Sequence, residues 1–293
     1  MPFADEWDEA GAIPSELWPK AAEVGLLGLG YPEQFGGTSA DSWHSWIVNE
    51  ELSRVGVGGI SASLMVHGIG LPPVINWGPE WMQAEVAPPV LNGEKWISLG
   101  ITEPGGGSDV ANLSTTAVRD GDHFVVSGSK TYITGGMRAN WVSTAVRTGG
   151  SGAGGVSMLL IPTDAEGFSR TPLDRKMGWW ASDTATLYFD EVRVPVANLI
   201  GAENEGFRVI MTNFNSERMG MAAAMEAYGR VCLEEAVAWA TERKTFGKRL
   251  ADHQVIRHKI AQMKQQLNAT QAYIRLCYDC LLYTSPSPRD IGE

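Results

Sequence analysis

Residues 114–127 read Ser-Thr-Thr-Ala-Val-Arg-Asp-Gly-Asp-His-Phe-Val-Val-Ser, and this stretch decides the fold class. β-branched and aromatic residues fill two short runs, Ser114–Arg119 and His123–Ser127. Such runs favour strands, and turn residues between them favour a hairpin. We therefore predict an antiparallel hairpin that turns across Asp120-Gly121. Runs of the same composition continue on both sides, and they predict a β domain over residues 96–200.

Helical patterns flank the β domain on both sides. Residues 1–95 predict a helical domain, with Ser39 and Asp41 as candidate helix caps. Residues 201–282 predict a second helical domain, with a long first helix and a second helix from about residue 252. The apolar stripe of the long helix is predicted to contain Phe207, Ile210, Met211, Phe214, Met221, Met225 and Tyr228. The order helical, β, helical indicates an α+β fold and excludes a doubly wound nucleotide-binding fold.

Composition excludes several function classes. The chain has 293 residues and a formal net charge of −11, which argues against a nucleic-acid partner because phosphates require a surplus of Lys and Arg. No apolar run approaches the roughly 20 residues of a membrane-spanning helix, so we expect no membrane span. Cys277 and Cys280 form a C-x-x-C at the end of a helical pattern, where two ordinary thiols are expected and no metal site.

The most informative loop is Leu99–Asp109, which reads Leu-Gly-Ile-Thr-Glu-Pro-Gly-Gly-Gly-Ser-Asp. Three consecutive glycines allow the backbone to approach a ligand, and exposed amides together with the hydroxyls of Thr102 and Ser108 suit a nucleotide cofactor. Composition alone leaves a second interpretation open, because Gly-rich surface turns are common.

Two further segments favour the ligand-binding interpretation. They are Lys130–Gly136, Lys-Thr-Tyr-Ile-Thr-Gly-Gly, and Glu242–Lys248, Glu-Arg-Lys-Thr-Phe-Gly-Lys. Together with the Gly-rich loop, and in this order, they resemble the acyl-CoA dehydrogenase family from Phe3 to about Asp279. The resemblance implies FAD as cofactor, a barrel-like β domain and a C-terminal helical bundle.

The resemblance also implies site residues. Thr134 would donate a hydrogen bond to flavin N5, and Tyr132, where the family usually has Trp, would pack on the flavin ring. Arg243 would reach the FAD of a neighbouring subunit. The implied FAD contacts are Leu99, Ile101, Thr102, Ser108, Tyr132, Ile133, Thr134, Arg243, Thr245, Phe246, His253 and Gln254. The implied substrate contacts are Ser108, Asn215 and Arg218.

Glu217 is the candidate catalytic base. The helical period places Glu217 and Arg218 at the margins of the apolar stripe, where each needs a partner from elsewhere. A structural ion pair would explain such charges, and so would a carboxylate that removes an α proton. Within the resembling family, a minority of members carry the base just before this helix arginine, whereas most carry it in a C-terminal Tyr-Glu-Gly motif. This chain contains no such motif.

The function implied is FAD-dependent α,β-dehydrogenation of an acyl-CoA thioester. An acyl-CoA oxidase on the same architecture and a non-catalytic acyl-CoA-binding fragment are the alternatives. The implied partners are an acyl-CoA substrate, electron-transfer flavoprotein and further copies of the chain in a homo-oligomer; the location would be cytoplasmic or the mitochondrial matrix. We expect a truncated sequence, since the family's first helix and last helices are missing, and residues 283–293 form an atypical tail.

Overall fold

The predicted α+β order of helices, sheet and helices is found in the computed structural model, which describes residues 3–174 and 176–284. Residues 285–293, most of the predicted atypical tail, lie outside the described part. By its internal contacts the chain forms two units. The first contains the chain up to Ser39 and Val57–Asn215, and the second contains Ala40–Gly56 and the chain from Ser216 onward.

Among the described residues, seven short α-helices precede the sheet. They are α1 (Ala4–Ala10), α2 (Leu17–Glu23), α3 (Ser42–Ser53), α4 (Gly58–Leu64), α5 (His67–Gly70), α6 (Pro72–Trp77) and α7 (Glu80–Leu91). Of the two candidate caps of α3, Asp41 is the N-cap, since its carboxylate accepts hydrogen bonds from the amides of Trp43 and His44 at 3.1 and 3.2 Å. Pro19 lies in the first turn of α2, where its missing N–H removes no helical hydrogen bond.

Within the described part of the first unit, the sheet has seven strands. They are β1 (Ile97–Gly100), β2 (Thr116–Asp120), β3 (His123–Thr134), β4 (Trp141–Arg147), β5 (Val156–Pro162), β6 (Phe168–Pro172) and β7 (Thr184–Pro195). The strand order is β1-β4-β2-β3-β7-β6, with β5 paired to β4. Most pairs are antiparallel, but β1 runs parallel to β4, and β2 meets β4 in a parallel pairing of Thr116 with Arg147.

The predicted hairpin is present with its turn shifted by one residue. Strand β2 pairs with β3 in the register Thr116↔Ser127 to Asp120↔His123, so the two-residue loop is Gly121-Asp122 instead of Asp120-Gly121. Gly121 has φ +64°, a conformation that costs glycine little. The turn position therefore follows the residue that tolerates a positive φ.

Two hydrophobic cores lie on opposite faces of the sheet. One face packs against α6, α7 and the start of the next long helix, while the other face is filled by side chains of β2, β3 and β7. Strands β4 and β5 contribute to both cores: Trp141 and Ala145 lie in the first and Val142 and Val146 in the second. This alternation explains why both strands are apolar or small over almost their whole length.

Helices form the second unit. They are α8 (Gly206–Glu242), whose first residues belong to the first unit, and α9 (Gln254–Thr284), with a small hairpin of β8 (Lys244–Thr245) and β9 (Lys248–Arg249) between them. Helix α3 belongs to this unit, and its Trp46 stacks on Tyr278 of α9 with ring centroids 5.2 Å apart.

The predicted apolar stripe of α8 is only partly buried. Ile210 is 1% exposed, whereas Met221 and Met225 are 64% and 50% exposed, so at these two methionines the predicted stripe is not the buried face of the helix. Ala223, Glu226 and Ala227 are buried instead. Small residues permit close approach of the neighbouring helices. The buried face of α8 is therefore a different one from the face that the apolar period predicted.

No single helix in the described ranges is long and apolar enough to cross a membrane. One bent pair of helices, Gly58–Leu64 with His67–Trp77, is long and apolar enough to do so by length and composition alone.

Candidate functional site

The Gly-rich loop begins where β1 ends and stands open to solvent. Ile101 and Glu103 are buried, whereas residues 104–109 are exposed. Reciprocal backbone hydrogen bonds between Glu103 and Gly106, of 3.0 and 3.1 Å, close a tight turn. Apart from the glycine itself and its chain neighbours, no atom of the described residues lies within 4 Å of where a Cβ on Gly105 or Gly106 would stand. The loop thus offers bare backbone to a ligand, while its first residues remain fixed in the protein.

A buried ion pair fixes the base of this loop. Lys130 of β3 has a fully buried side chain, and its Nζ donates to Glu103 Oε1 at 2.8 Å and to the carbonyl of Ile101 at 3.1 Å. Glu103 also accepts hydrogen bonds from the amide and hydroxyl of Ser114, both at 2.6 Å, and from the amide of Thr115 at 2.8 Å.

Hydrogen bonding within the pair favours the ionised form of the Glu103 carboxyl. Burial raises the pKa of Glu103, but hydrogen bonds from Lys130, Ser114 and Thr115 outweigh it and lower this pKa to about 2. Burial lowers the pKa of Lys130 to about 8, opposed by its hydrogen bond and attraction to Glu103. A buried charge of this kind requires a partner, and each residue supplies the other's.

Sequence reasoning did not assign roles to Lys130 and Glu103. One signal was available, because Lys130 lies an even number of residues after the buried Phe124 and Val126, on the same face of a strand by the two-residue period. A lysine at a core position implies a buried counter-charge, although the period does not say which carboxylate supplies it.

A β-bulge after Lys130 turns the next residues of β3. The pairing of β3 with β7 shifts register between Lys130 and Ile133, and Tyr132 adopts φ +60°. The Tyr132 side chain is 64% exposed, while Ile133 is 2% exposed and Thr134 is half-buried. A non-glycine residue in the left-handed region costs of the order of 1–3 kcal/mol, and such strain is concentrated at functional sites.

Thr134 is held by its backbone. Its carbonyl accepts a hydrogen bond from Ser98 Oγ of β1 at 2.9 Å, and the next residue, Gly135, donates to the carbonyl of Asp183 at 2.9 Å. Thr131, within the bulge, donates its amide to the carbonyl of Thr102 at 2.8 Å. The Gly-rich loop and the bulged segment are therefore joined directly.

The predicted site residues of the first unit lie on two segments that hydrogen bonds join: Leu99, Ile101, Thr102 and Ser108 on β1 and the Gly-rich loop, and Tyr132, Ile133 and Thr134 on β3. Leu99 and Thr102 are half-buried and Ser108 is exposed. Asn215, a predicted substrate contact, is an exposed residue of α8 at the end of this unit.

A second group of predicted residues lies on the hairpin of the second unit and directly before and after it. Phe246, at the hairpin tip, is 98% exposed with φ +52°, and Gly247 follows with φ +77°. Thr245 Oγ1 and His253 Nε2 lie 3.2 Å apart, within hydrogen-bond distance. Gln254 begins α9, and Arg243 is exposed, with its amide donating to the carbonyl of Trp239. The hairpin tip presents an aromatic ring to solvent, and the exposed Arg243 lies directly before the hairpin.

Glu217 and Arg218 lie on α8 in the second unit. Glu217 is half-buried, as expected for the margin of the apolar stripe, whereas Arg218 is exposed. At the margins of the apolar stripe, both side chains were expected to point partly inward. For Arg218 this expectation was wrong, because the residue is exposed. Successive helical residues differ in direction by about 100°, so one of two neighbours can face solvent while the other does not.

A sheet between two helical regions carries the exposed Gly-rich loop and the exposed Tyr132. Three family models match: the acyl-CoA dehydrogenase N-terminal domain at residues 1–94, the middle domain at 98–192 and the C-terminal domain at 204–281. The chain belongs to the acyl-CoA dehydrogenase family, whose members are FAD-dependent oxidoreductases.

Individual relatives agree. Acyl-CoA dehydrogenase AFT10-1 of Alternaria alternata is 37% identical over an alignment of 289 residues, and the match covers 94% of this chain and 67% of that protein. A probable acyl-CoA dehydrogenase from Mycobacterium abscessus is 48% identical with a TM-score of 0.94, over 96% of this chain and 75% of that chain. A glutaryl-CoA dehydrogenase from Mycobacterium smegmatis in complex with FADH2 is 27% identical with a TM-score of 0.90, over 99% of this chain and 74% of that chain. The chain thus spans about two thirds to three quarters of these proteins.

The residues present fit a flavin. The open backbone at Gly105 and Gly106 leaves space for a ligand, and the strained Tyr132 presents its ring to solvent. The half-buried Thr134, two residues further along the chain, adds a hydroxyl donor. An aromatic face, backbone amides and a hydroxyl are the groups that bind a flat, polar ring system.

Proposed function

We propose that the full-length protein containing this chain removes the α and β hydrogens of an acyl-CoA thioester. Family membership supports the reaction class, and one observation carries the proposal: the bulge in β3 exposes Tyr132 while the neighbouring backbone stays anchored to β1 and to the Gly-rich loop. Such an arrangement positions a ring wall rigidly, as a reacting cofactor requires.

Bound FAD supplies the acceptor for the β hydrogen, which leaves as hydride. We assign Tyr132 and Ile133 to the wall beside the flavin, and the Thr134 hydroxyl to a hydrogen bond with flavin N5. Leu99, Ile101, Thr102 and Ser108 are assigned to the loop side, with Ser108 also touching the substrate. Anchored donors of this kind stabilise developing charge without having to reorient during the reaction.

Glu217 is proposed as the base that takes the α proton onto its carboxylate, with Asn215 and Arg218 as substrate contacts. The proposal rests on its position before the helix arginine and on its half-buried side chain. Partial burial matters because a base that acyl-CoA desolvates becomes more basic toward a weakly acidic carbon.

We further propose that Arg243, Thr245, Phe246, His253 and Gln254 bind the FAD of a neighbouring subunit in a homo-oligomer. An exposed guanidinium and an exposed ring at one hairpin support this assignment. Electron-transfer flavoprotein is proposed as the electron acceptor. Fast reoxidation of the substrate-reduced protein by that acceptor and slow reoxidation by dioxygen would distinguish a dehydrogenase from an oxidase.

Glu217→Gln in the full-length protein tests the base. Glu235→Gln, an exposed residue of the same helix, is the matched control. We expect Glu217→Gln to bind FAD and acyl-CoA normally and to lower the rate of flavin bleaching by roughly 10²-fold or more, as loss of a general base does. Stopped-flow absorbance measures this rate. Near-normal bleaching would place the base in another part of the full-length protein.

A further inference from the structure

The buried pair Lys130–Glu103 closes a network that holds residues 101–115, here called the loop segment. The amide of Thr131 fixes the carbonyl of Thr102, and Lys130 fixes the carbonyl of Ile101. At the other end, Glu103 accepts hydrogen bonds from Ser114 and Thr115. One carboxylate thus joins both ends of the loop segment to the strand that carries the bulge.

Arg147 of β4 completes the network on the far side. Its Nε donates to the carbonyl of Leu113 at 2.9 Å, and its Nη2 donates to the carbonyl of Ala111 at 2.7 Å. The backbone of residues 111–115 is therefore bound by charged side chains from two directions, whereas residues 104–109 stand exposed between the two fixed ends.

Stability alone does not explain a buried pair of this kind. Removing two charges from water is costly, and replacing a buried ion pair by well-packed apolar residues is often neutral or stabilising. What an ion pair with directed hydrogen bonds provides is a unique arrangement of the backbone segments that it joins. Here those segments are the loop and the strand that together form the proposed flavin wall.

We propose that Lys130 and Glu103 are positioning residues for the cofactor: their ion pair sets the spacing between the loop segment and Tyr132–Thr134, so that both sides of the flavin wall meet the ring system together. This inference rests on the proposed function. Neither side chain is assigned a contact with the ligand, because both are buried beneath the backbone that they hold.

The test uses the double variant Lys130→Met/Glu103→Gln, which removes both charges and leaves no unpaired buried ion. Two measurements are made: peptide-level hydrogen exchange of the apoprotein and FAD affinity by fluorescence titration. We expect exchange at least 10-fold faster within residues 101–115 alone, and FAD binding at least 10-fold weaker. The control is Arg193→Met/Asp120→Asn, which removes an exposed ion pair of 2.8 Å in the same sheet and should change neither quantity.

Several outcomes would overturn the proposal. A folded double variant with unchanged exchange and unchanged FAD affinity would show that the pair positions nothing, and faster exchange throughout the sheet would show a general effect on stability. Should the double variant fail to fold, Glu103→Gln alone is measured by the same criteria, and its failure to fold would equally count against a positioning role. If the unmodified protein binds no FAD, the proposed function fails, while the exchange comparison still decides whether the pair fixes the loop segment.

Discussion

Gly135 lies directly after Thr134, and Gly135→Ala tests how tightly this part of the site is packed. Gly135 has φ +69°, and a Cβ there would stand 3.1 Å from Val66 Cγ2 and 3.2 Å from Ser98 Oγ. Carbon atoms in good contact are about 3.5–4.0 Å apart, so the added methyl group would be crowded.

The expected cost has two parts. The left-handed conformation costs a non-glycine residue roughly 1–2 kcal/mol. Overpacking in a well-packed core typically adds 1–3 kcal/mol. Gly121→Ala is the matched control, since Gly121 has φ +64° and no atom within 4 Å of the corresponding Cβ. It should lose only the conformational part, so Gly135→Ala should be less stable than Gly121→Ala by about 1–3 kcal/mol.

Urea unfolding monitored by tryptophan fluorescence gives both free energies. Because Ser98 Oγ donates to the carbonyl of Thr134, displacement of Ser98 should also weaken FAD binding in Gly135→Ala but not in Gly121→Ala. Equal destabilisation of the two variants would refute the reasoning, since it would mean that Val66 and Ser98 do not crowd this position.

Three further outcomes are expected. Burial lowers the pKa of His67 to about 4, against hydrogen bonds to the carbonyls of Leu27 and Leu64 that raise it, so between pH 6.5 and 4 the unfolded chain binds a proton that the folded chain does not. As the pH falls from 6.5 to 4, the free energy of unfolding of the unmodified protein should therefore decrease by about 3 kcal/mol more than that of His67→Gln. Urea unfolding at each pH measures both values, and parallel pH profiles of the two proteins would contradict this prediction. Thr134→Val should slow flavin reduction while the flavin content stays the same. An unchanged rate of flavin reduction in stopped flow would contradict the assignment of Thr134 to flavin N5. Arg243→Ala should lower FAD occupancy and subunit association together. Flavin absorbance measures the first and sizing measures the second; if neither is lowered, Arg243 is a solvated residue without a role in FAD binding.

The order of the regions could be predicted from sequence because each secondary structure has its own residue period. Val, Thr and aromatic residues in short runs indicated the sheet, and Asp41 before an apolar run indicated the cap of α3. The Gly-rich loop was also recognisable, since three successive glycines leave a backbone bare whatever surrounds it. These features depend on neighbours a few residues away, which a sequence displays directly.

Only the tertiary structure decided the remaining features. Glu103 and Lys130 are 27 residues apart, and no period connects them. The bulge that exposes Tyr132 appears only in the pairing of β3 with β7, and Met221 and Met225 are exposed because neighbouring helices contact another face of α8. Each of these depends on which distant segment packs against a residue. Local periodicity gives the direction of a side chain relative to its own helix or strand, whereas the partner that it meets is fixed only when the chain folds.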